Sequence, residues 1–153
     1  MKFSKILIAL IMLAGPILAE DSNHFITMAD FDKTFQGFSF LQGELVSIDM
    51  EAENLSDHID FIFDLPNGLG MNNGALDGWF AGKAMILDLG DMPIESILEM
   101  DEEDFTPYLI PEELIPGHTY HIKTADTKHQ GRIRIVEFDT DQSLLSFNWL
   151  KLD

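Results

Sequence analysis

The chain has 153 residues, no cysteine, and 27 acidic against 9 basic side chains, a formal charge of −18. Without cysteine it has neither a disulfide framework nor a lipid-anchored N-terminal cysteine, so its stability must come from a core, which a chain of this length can build as one domain. A surface this negative repels phosphate, which argues against nucleic acid and anionic membranes and leaves cations, cationic proteins and neutral glycans as partner classes.

The opening MKFSKILIALIMLAGPILAE places Lys2 and Lys5 before an apolar stretch from Ile6 to Leu13, followed by Gly15, Pro16 and Ala19. That is the layout of a secretory signal peptide with cleavage after Ala19, and its apolar part is too short for an ordinary membrane span. Residues 1–19 therefore read as a signal peptide and 20–153 as a single β-domain, secreted or periplasmic. The charge is uneven: Glu20 to Gly117 carries 22 acids against Lys33 and Lys83, whereas His118 to Asp153 holds five of each sign. Acidity of this kind serves solubility, or a saline medium, before it serves any one partner.

The hydrophobic pattern that follows is mostly of period two, the signature of strands whose successive side chains face opposite ways. Phe38 to Phe40 begins it, joined by the turn residues Gln42 and Gly43 to a strand with Val46, Ile48 and Met50 inward and Asp49, Glu51 and Glu53 outward. In HIDFIFDL, Ile59, Phe61, Phe63 and Leu65 share the packed face while His58, Asp60 and Asp64 meet water. Ala84 to Leu89 is apolar on both faces apart from Asp88, as a central strand would be, and ends at the turn Gly90-Asp91. Pro93, with Ile94, Ile97 and Leu98 on one helical face, predicts at most one short helix near 92–100. Pro107, Pro111 and Pro116 then predict an extended crossover loop. The last third reads as a meander of TYHIKT, RIRIVEF and LLSFNWLKL. In its middle strand Ile133 and Ile135 want one face but Val136 and Phe138 the other, which a β-bulge near Ile135 or Val136, or burial on both faces, would reconcile. These elements define an all-β protein, a single-domain β-sandwich or partly open barrel of about seven to nine strands.

The stretch LPNGLGMNNGALDGWFAGKA, between two of these strands, is the longest glycine-rich excursion in the chain. It is not a P-loop, because Gly82-Lys83 is followed by Ala84 and Asp77 stands where the first glycine belongs. GLGMNNG misses the dinucleotide fingerprint by one residue and has no βαβ unit around it. Calcium suits the charge better, with oxygens from Asn72, Asn73 and Asp77 in this stretch or from Asp101, Glu102, Glu103 and Asp104 further on, but neither group matches a defined calcium loop. The run from Asp139 starts like an EF-hand, yet Leu144 replaces its glycine and Leu150 its glutamate. Trp79 and Phe80 offer an aromatic platform for a sugar ring beside those amides, although large aromatics at a strand start more often cover a core. Asn72, Asn73, Asp77 and Trp79 are therefore the candidate ligand-binding residues.

No catalytic, cofactor-binding or metal-ligating set is legible. Cysteine nucleophiles, GxSxG and HExxH are all absent. His118 and His121 stand on opposite faces of a strand and cannot share a metal, while His24 and His129 fall near an end and in a turn. Among so many acids, carboxylate pairs at glycosidase spacing arise by chance. The chain thus reads as a non-enzyme without a cofactor.

GFSFLQGELVS, DHIDFIF, LDLG, and GHTYHIKTADTKHQGRIRIVEF with LLSFNWLKL together resemble a small β-module of uncharacterised secreted bacterial proteins. Its outline is a G-[FY]-x-F-x-x-G opening, an Asp-Ile/Leu-x-Phe strand, a Leu-Gly turn and a Gly-x-x-Tyr-x-[IV]-x-T…G hairpin, matched here over roughly Gln36 to Leu152, with a longer final turn. The resemblance implies export and a β-fold and carries no site residues. The expected role is a non-catalytic binding or structural module of the cell envelope or exterior; the alternative is a calcium- or glycan-binding module using the 67–80 loop.

Overall fold

A computed structural model describes residues 24–49, 51, 58–73 and 82–152. The expected signal peptide, Met50, Asp77 and Trp79 lie outside them. Ten strands are described: β1 Phe25–Ala29, β2 Gln36–Ser39, β3 Glu44–Ser47, β4 Phe61–Asp64, β5 Gly68–Met71, β6 Met85–Asp88, β7 Tyr108–Leu109, β8 Thr119–Lys123, β9 Gln130–Asp139 and β10 Leu144–Leu152. They form two antiparallel five-stranded sheets, ordered β1-β10-β9-β8-β6 and β3-β2-β4-β5-β7. The expected all-β sandwich is what the chain forms, without closure into a barrel. Three strands lie beyond the expected set: β1, the glycine-rich β5 and the two-residue β7.

The sheets face each other across aromatic contacts. Phe38 of β2 meets Phe147 of β10 at 5.4 Å between ring centroids, and Phe63 of β4 meets Phe138 of β9 at 5.8 Å. Period-two alternation sends Phe61, Phe63, Leu69, Met71, Tyr120, Ile122, Ile133, Ile135, Leu145 and Phe147 into this interlayer core. The phase conflict in β9 is resolved by a bulge. Ser146 stands opposite Glu137 and Phe147 opposite Ile135, so Val136 is the extra residue, and it is 49% exposed.

Gly131 of β9 receives the ring of Phe40. A Cβ there would lie 2.3 Å from Phe40 Cε1. Gly131→Ala should therefore destabilise by about 1–3 kcal/mol through overpacking, read as a lower urea midpoint at unchanged slope.

Several expectations are corrected. Among the described residues the one α-helix, α1 at Phe31–Thr34, is a single turn capped by Asp30, whose Oδ1 accepts from Asp32 N at 2.9 Å. No helix forms over 92–100. Arg132 donates to the carbonyls of Ile94 (2.9 Å) and Ser96, and Arg134 to that of Met92. Those carbonyls are drawn towards the outer face of the first sheet instead of into helical bonds, and the segment runs across that face as an irregular strap. Ala84–Leu89 is not central: β6 is a terminal strand, and its outer edge is occupied by Thr106, which exchanges two 2.8 Å backbone bonds with Ile86. In β3 it is Leu45 that reaches the main core. Val46 and Ile48 pack instead into a smaller cluster with Phe31, Ile59 and Ile62, under α1.

Asp60 does not meet water. It is 3% exposed, its Oδ2 accepting from Phe40 N at 2.7 Å and its Oδ1 from Ala125 N at 2.9 Å. One carboxylate thus ties the β2 and β4 side of one sheet to the turn after β8 of the other, which is why Ile59 swings outward to the second cluster.

Candidate functional site

The outer face of the second sheet is only half covered. Alpha-helix α1 and its cluster lie over β3 and the near side of β4, and beyond them β4, β5 and β7 enclose a trough of about 350 Å³. Strand register explains it. Ile62 pairs with Gly70 and Gly70 with Tyr108, so on one face two large side chains flank a position that has none. The next row pairs Asp64 with Gly68. Gly68 has φ +95°, and a Cβ on it would sit 2.0 Å from the Leu109 carbonyl oxygen, so only glycine lets β7 approach β5 there. Pro66, Asn67 and Ile110 complete the lining.

The trough combines an aromatic wall with polar groups at one end. Tyr108 is 56% exposed, so its ring is available as that wall. Asp64 Oδ2 accepts from Asn67 Nδ2 at 2.6 Å, which fixes the amide and the carboxylate together at the β4–β5 turn. A second cleft of about 370 Å³ lies under the strap, lined by His24, Glu95, Arg134 and Asn148. Its cation is already engaged, since the Arg134 guanidinium holds Met92 O and, at 2.8 Å, Asp91.

Asn72 and Asn73 stand at the end of β5, outside the lining of the trough. Asn72 is buried, donating from Nδ2 to Ile59 O at 2.6 Å and accepting from Gly82 N at 2.9 Å. Asn73 donates to Ala84 O at 3.1 Å. Both amides join β5 to neighbouring backbone, a role in holding the sheets together. Asp77 and Trp79 lie outside the described residues. Sequence reasoning missed Gly70 and Tyr108; the available signal was G-x-G at strand spacing, which puts two glycines on one face.

The histidines are placed apart. His118 Nδ1 lies 3.1 Å from Asp88 at the surface. His121 is buried beneath the strap, with Nε2 2.9 Å from Gln130 Oε1 and Nδ1 accepting from Arg132 Nε at 3.3 Å. Burial pushes its pKa down.

The fold is that of a two-sheet antiparallel β-sandwich, and no helix among the described residues is long and apolar enough to cross a membrane. It resembles the crystal structure of a DUF4466 family protein from Parabacteroides merdae, with a TM-score of 0.52 and 14% identity over 84% of this chain and 52% of that one. The chain therefore spans about half the length of that structure, and at this identity the likeness is one of fold. No protein-family model and no curated protein matches the sequence.

Proposed function

We propose that the chain is an exported, non-catalytic binding module of the cell envelope or exterior, and that the trough between β4 and β7 receives a sugar ring. The observation that carries this reading is Tyr108, exposed beside a glycine floor, with Asn67 and Asp64 fixed at one end of the trough. An aromatic wall supplies a flat apolar surface for the C–H face of a pyranose, and the amide and carboxylate offer a donor and acceptors to its hydroxyls. The signal-peptide layout of the N-terminus supports export.

A glycan array followed by calorimetry on its best ligand tests the reading. Tyr108→Ala is expected to weaken that ligand about tenfold or more, roughly 1.4 kcal/mol, while the thermal midpoint stays within a few degrees. A blank array, or a ligand indifferent to Tyr108, would remove the trough from consideration.

A further inference from the structure

The strap from Asp91 to Met100 crosses the first sheet without burying a side chain; every residue in it is exposed or half-buried, and Ile97 is 98% exposed. Side chains of β8 and β9 hold it by its backbone. Thr119 Oγ1 and Arg134 Nη1 both donate to Met92 O, and Arg132 Nη1 donates to Ile94 O at 2.9 Å and to Ser96 O. Beyond Pro93, among the described residues, the strap's hydrogen bonds to the sheet come from Arg132 alone. A segment with so little buried surface opens at low cost once its donors leave.

Arg132 is in turn held from beneath. It stands opposite His121 in the β8–β9 pair, and the two are 4% and 1% exposed. Arg132 Nε donates to His121 Nδ1 at 3.3 Å. A guanidinium is always a donor, so Nδ1 is the acceptor and the imidazole proton sits on Nε2, 2.9 Å from Gln130 Oε1. One line of bonds therefore runs from Gln130 through His121 and Arg132 to the strap. The charges around the imidazole are Lys123 on its own strand and Arg132, then Arg134, on β9. Leu87, opposite it on β6, and the ring of Phe105, 5.9 Å away, carry none. The acids nearby serve other cations: Glu102 pairs with Lys123 at 2.7 Å, and Glu95 of the strap attracts Arg132.

We infer that His121 is an acid-operated latch on the strap. A proton taken from solvent at Nδ1 turns the acceptor into a donor that faces Arg132 Nε–H, and sets two cations side by side where water is excluded. The bond breaks, Arg132 moves off, and Ile94 and Ser96 lose their donor. The strap lifts between Asp101 and Gly90, whose φ of +74° and open surroundings suit a hinge. Lifting returns water to His121, so the open form takes its proton near the ordinary value of 6.5. In the closed form burial holds the pKa lower, against the Gln130 bond and with the Arg132 and Lys123 charges adding to it. Closure is thus at full strength above about pH 6.5 and weakens as the pH falls below it. The latch belongs to the sheet opposite the trough and does not depend on the sugar reading.

The folded chain is treated with an endopeptidase that cuts after glutamate, from pH 7.5 to 5.0, and each rate is divided by that of a free peptide of residues 91–100 at the same pH. Cleavage after Glu95 or Glu99, identified by mass, is expected to rise at least about threefold and up to about thirtyfold over this interval, the most that one proton allows. Cleavage after Glu137, inside β9, should not rise with it. His121→Asn offers Arg132 a carbonyl oxygen that takes no proton in this range, and its strap should be cut equally at both ends of the interval. His118→Asn, at the surface, should keep the parent's rise. In the unsubstituted chain, NMR of the histidine rings should place the His121 midpoint below 6.5, a readout that stands even where a variant fails to fold. A strap cut at the same relative rate at pH 7.5 and 5.0, a rise that survives in His121→Asn or vanishes in His118→Asn, joint opening of the strap and β9, or a His121 midpoint at or above 6.5 would overturn the latch.

Discussion

Asp60→Ala is expected to lose about 3–5 kcal/mol of stability at neutral pH. The substitution strands two buried backbone donors, Phe40 N and Ala125 N, which now sit 2.7 and 2.9 Å from the carboxylate. Each unsatisfied group costs about 1–3 kcal/mol, and the removed side chain leaves a small cavity as well. Asp60→Asn separates geometry from charge. Its single carbonyl oxygen can serve one donor, and its NH₂ faces the other.

The pH dependence has a definite sign. Burial pushes the Asp60 pKa up from 3.8 to about 6, against the pull of the Ala125 and Phe40 amides. The folded chain therefore binds this proton more tightly than the unfolded one. Its contribution to stability is fully present below about pH 3.8 and is lost as the pH rises through about 6. A shift of this size corresponds to about 3 kcal/mol. Urea unfolding of both proteins at pH 4, 5, 6 and 7 should show the stability difference moving towards Asp60→Asn by up to that amount. Other titrating groups act in both proteins and largely cancel in the difference. A difference that stays flat with pH would mean that Asp60 titrates normally.

Phe38→Ala should cost about 3–5 kcal/mol, by loss of transfer energy and creation of a cavity. Phe38 is fully buried, and its ring centroid lies 5.0 Å from that of Phe40, 5.2 Å from Phe61, 5.4 Å from Phe147 and 5.6 Å from Trp149. It is where β2 of one sheet meets β10 of the other, so the void would open between the layers, where the strands are least able to collapse into it. Guanidinium denaturation provides the measurement. A loss below about 1 kcal/mol would show that the aromatic cluster repacks, and that its rings are not individually required.

Much of this architecture was legible because strand periodicity is a local property. The alternation in Tyr120 and Ile122 and in Leu145 and Phe147 led directly to the core, and the broken phase at Ile133 to Phe138 led to a bulge that falls at Val136. What could not be read depends on partners far away in the chain. Asp60 looked like a solvent-facing strand residue because nothing local shows that the amide of Ala125 will reach it, 65 positions on. The helix expected near 92–100 satisfied its own pattern and lost to Arg132 and Arg134, about forty residues later, which claim its carbonyls. The glycines of GLGM suggested a loop; as a strand they become a trough only once Tyr108 pairs with Gly70.

The exchange of backbone bonds between Ile86 and Thr106 also bears on how molecules of this protein can meet. It occupies the outer edge of β6 at its second residue, and on the same side β7 is two residues long, so an incoming strand finds little to extend. The terminal strands opposite are β1 with five residues and β3 with four, and among the described strands none pairs with their outer edges. The sandwich can be lengthened on one flank and hardly at all on the other.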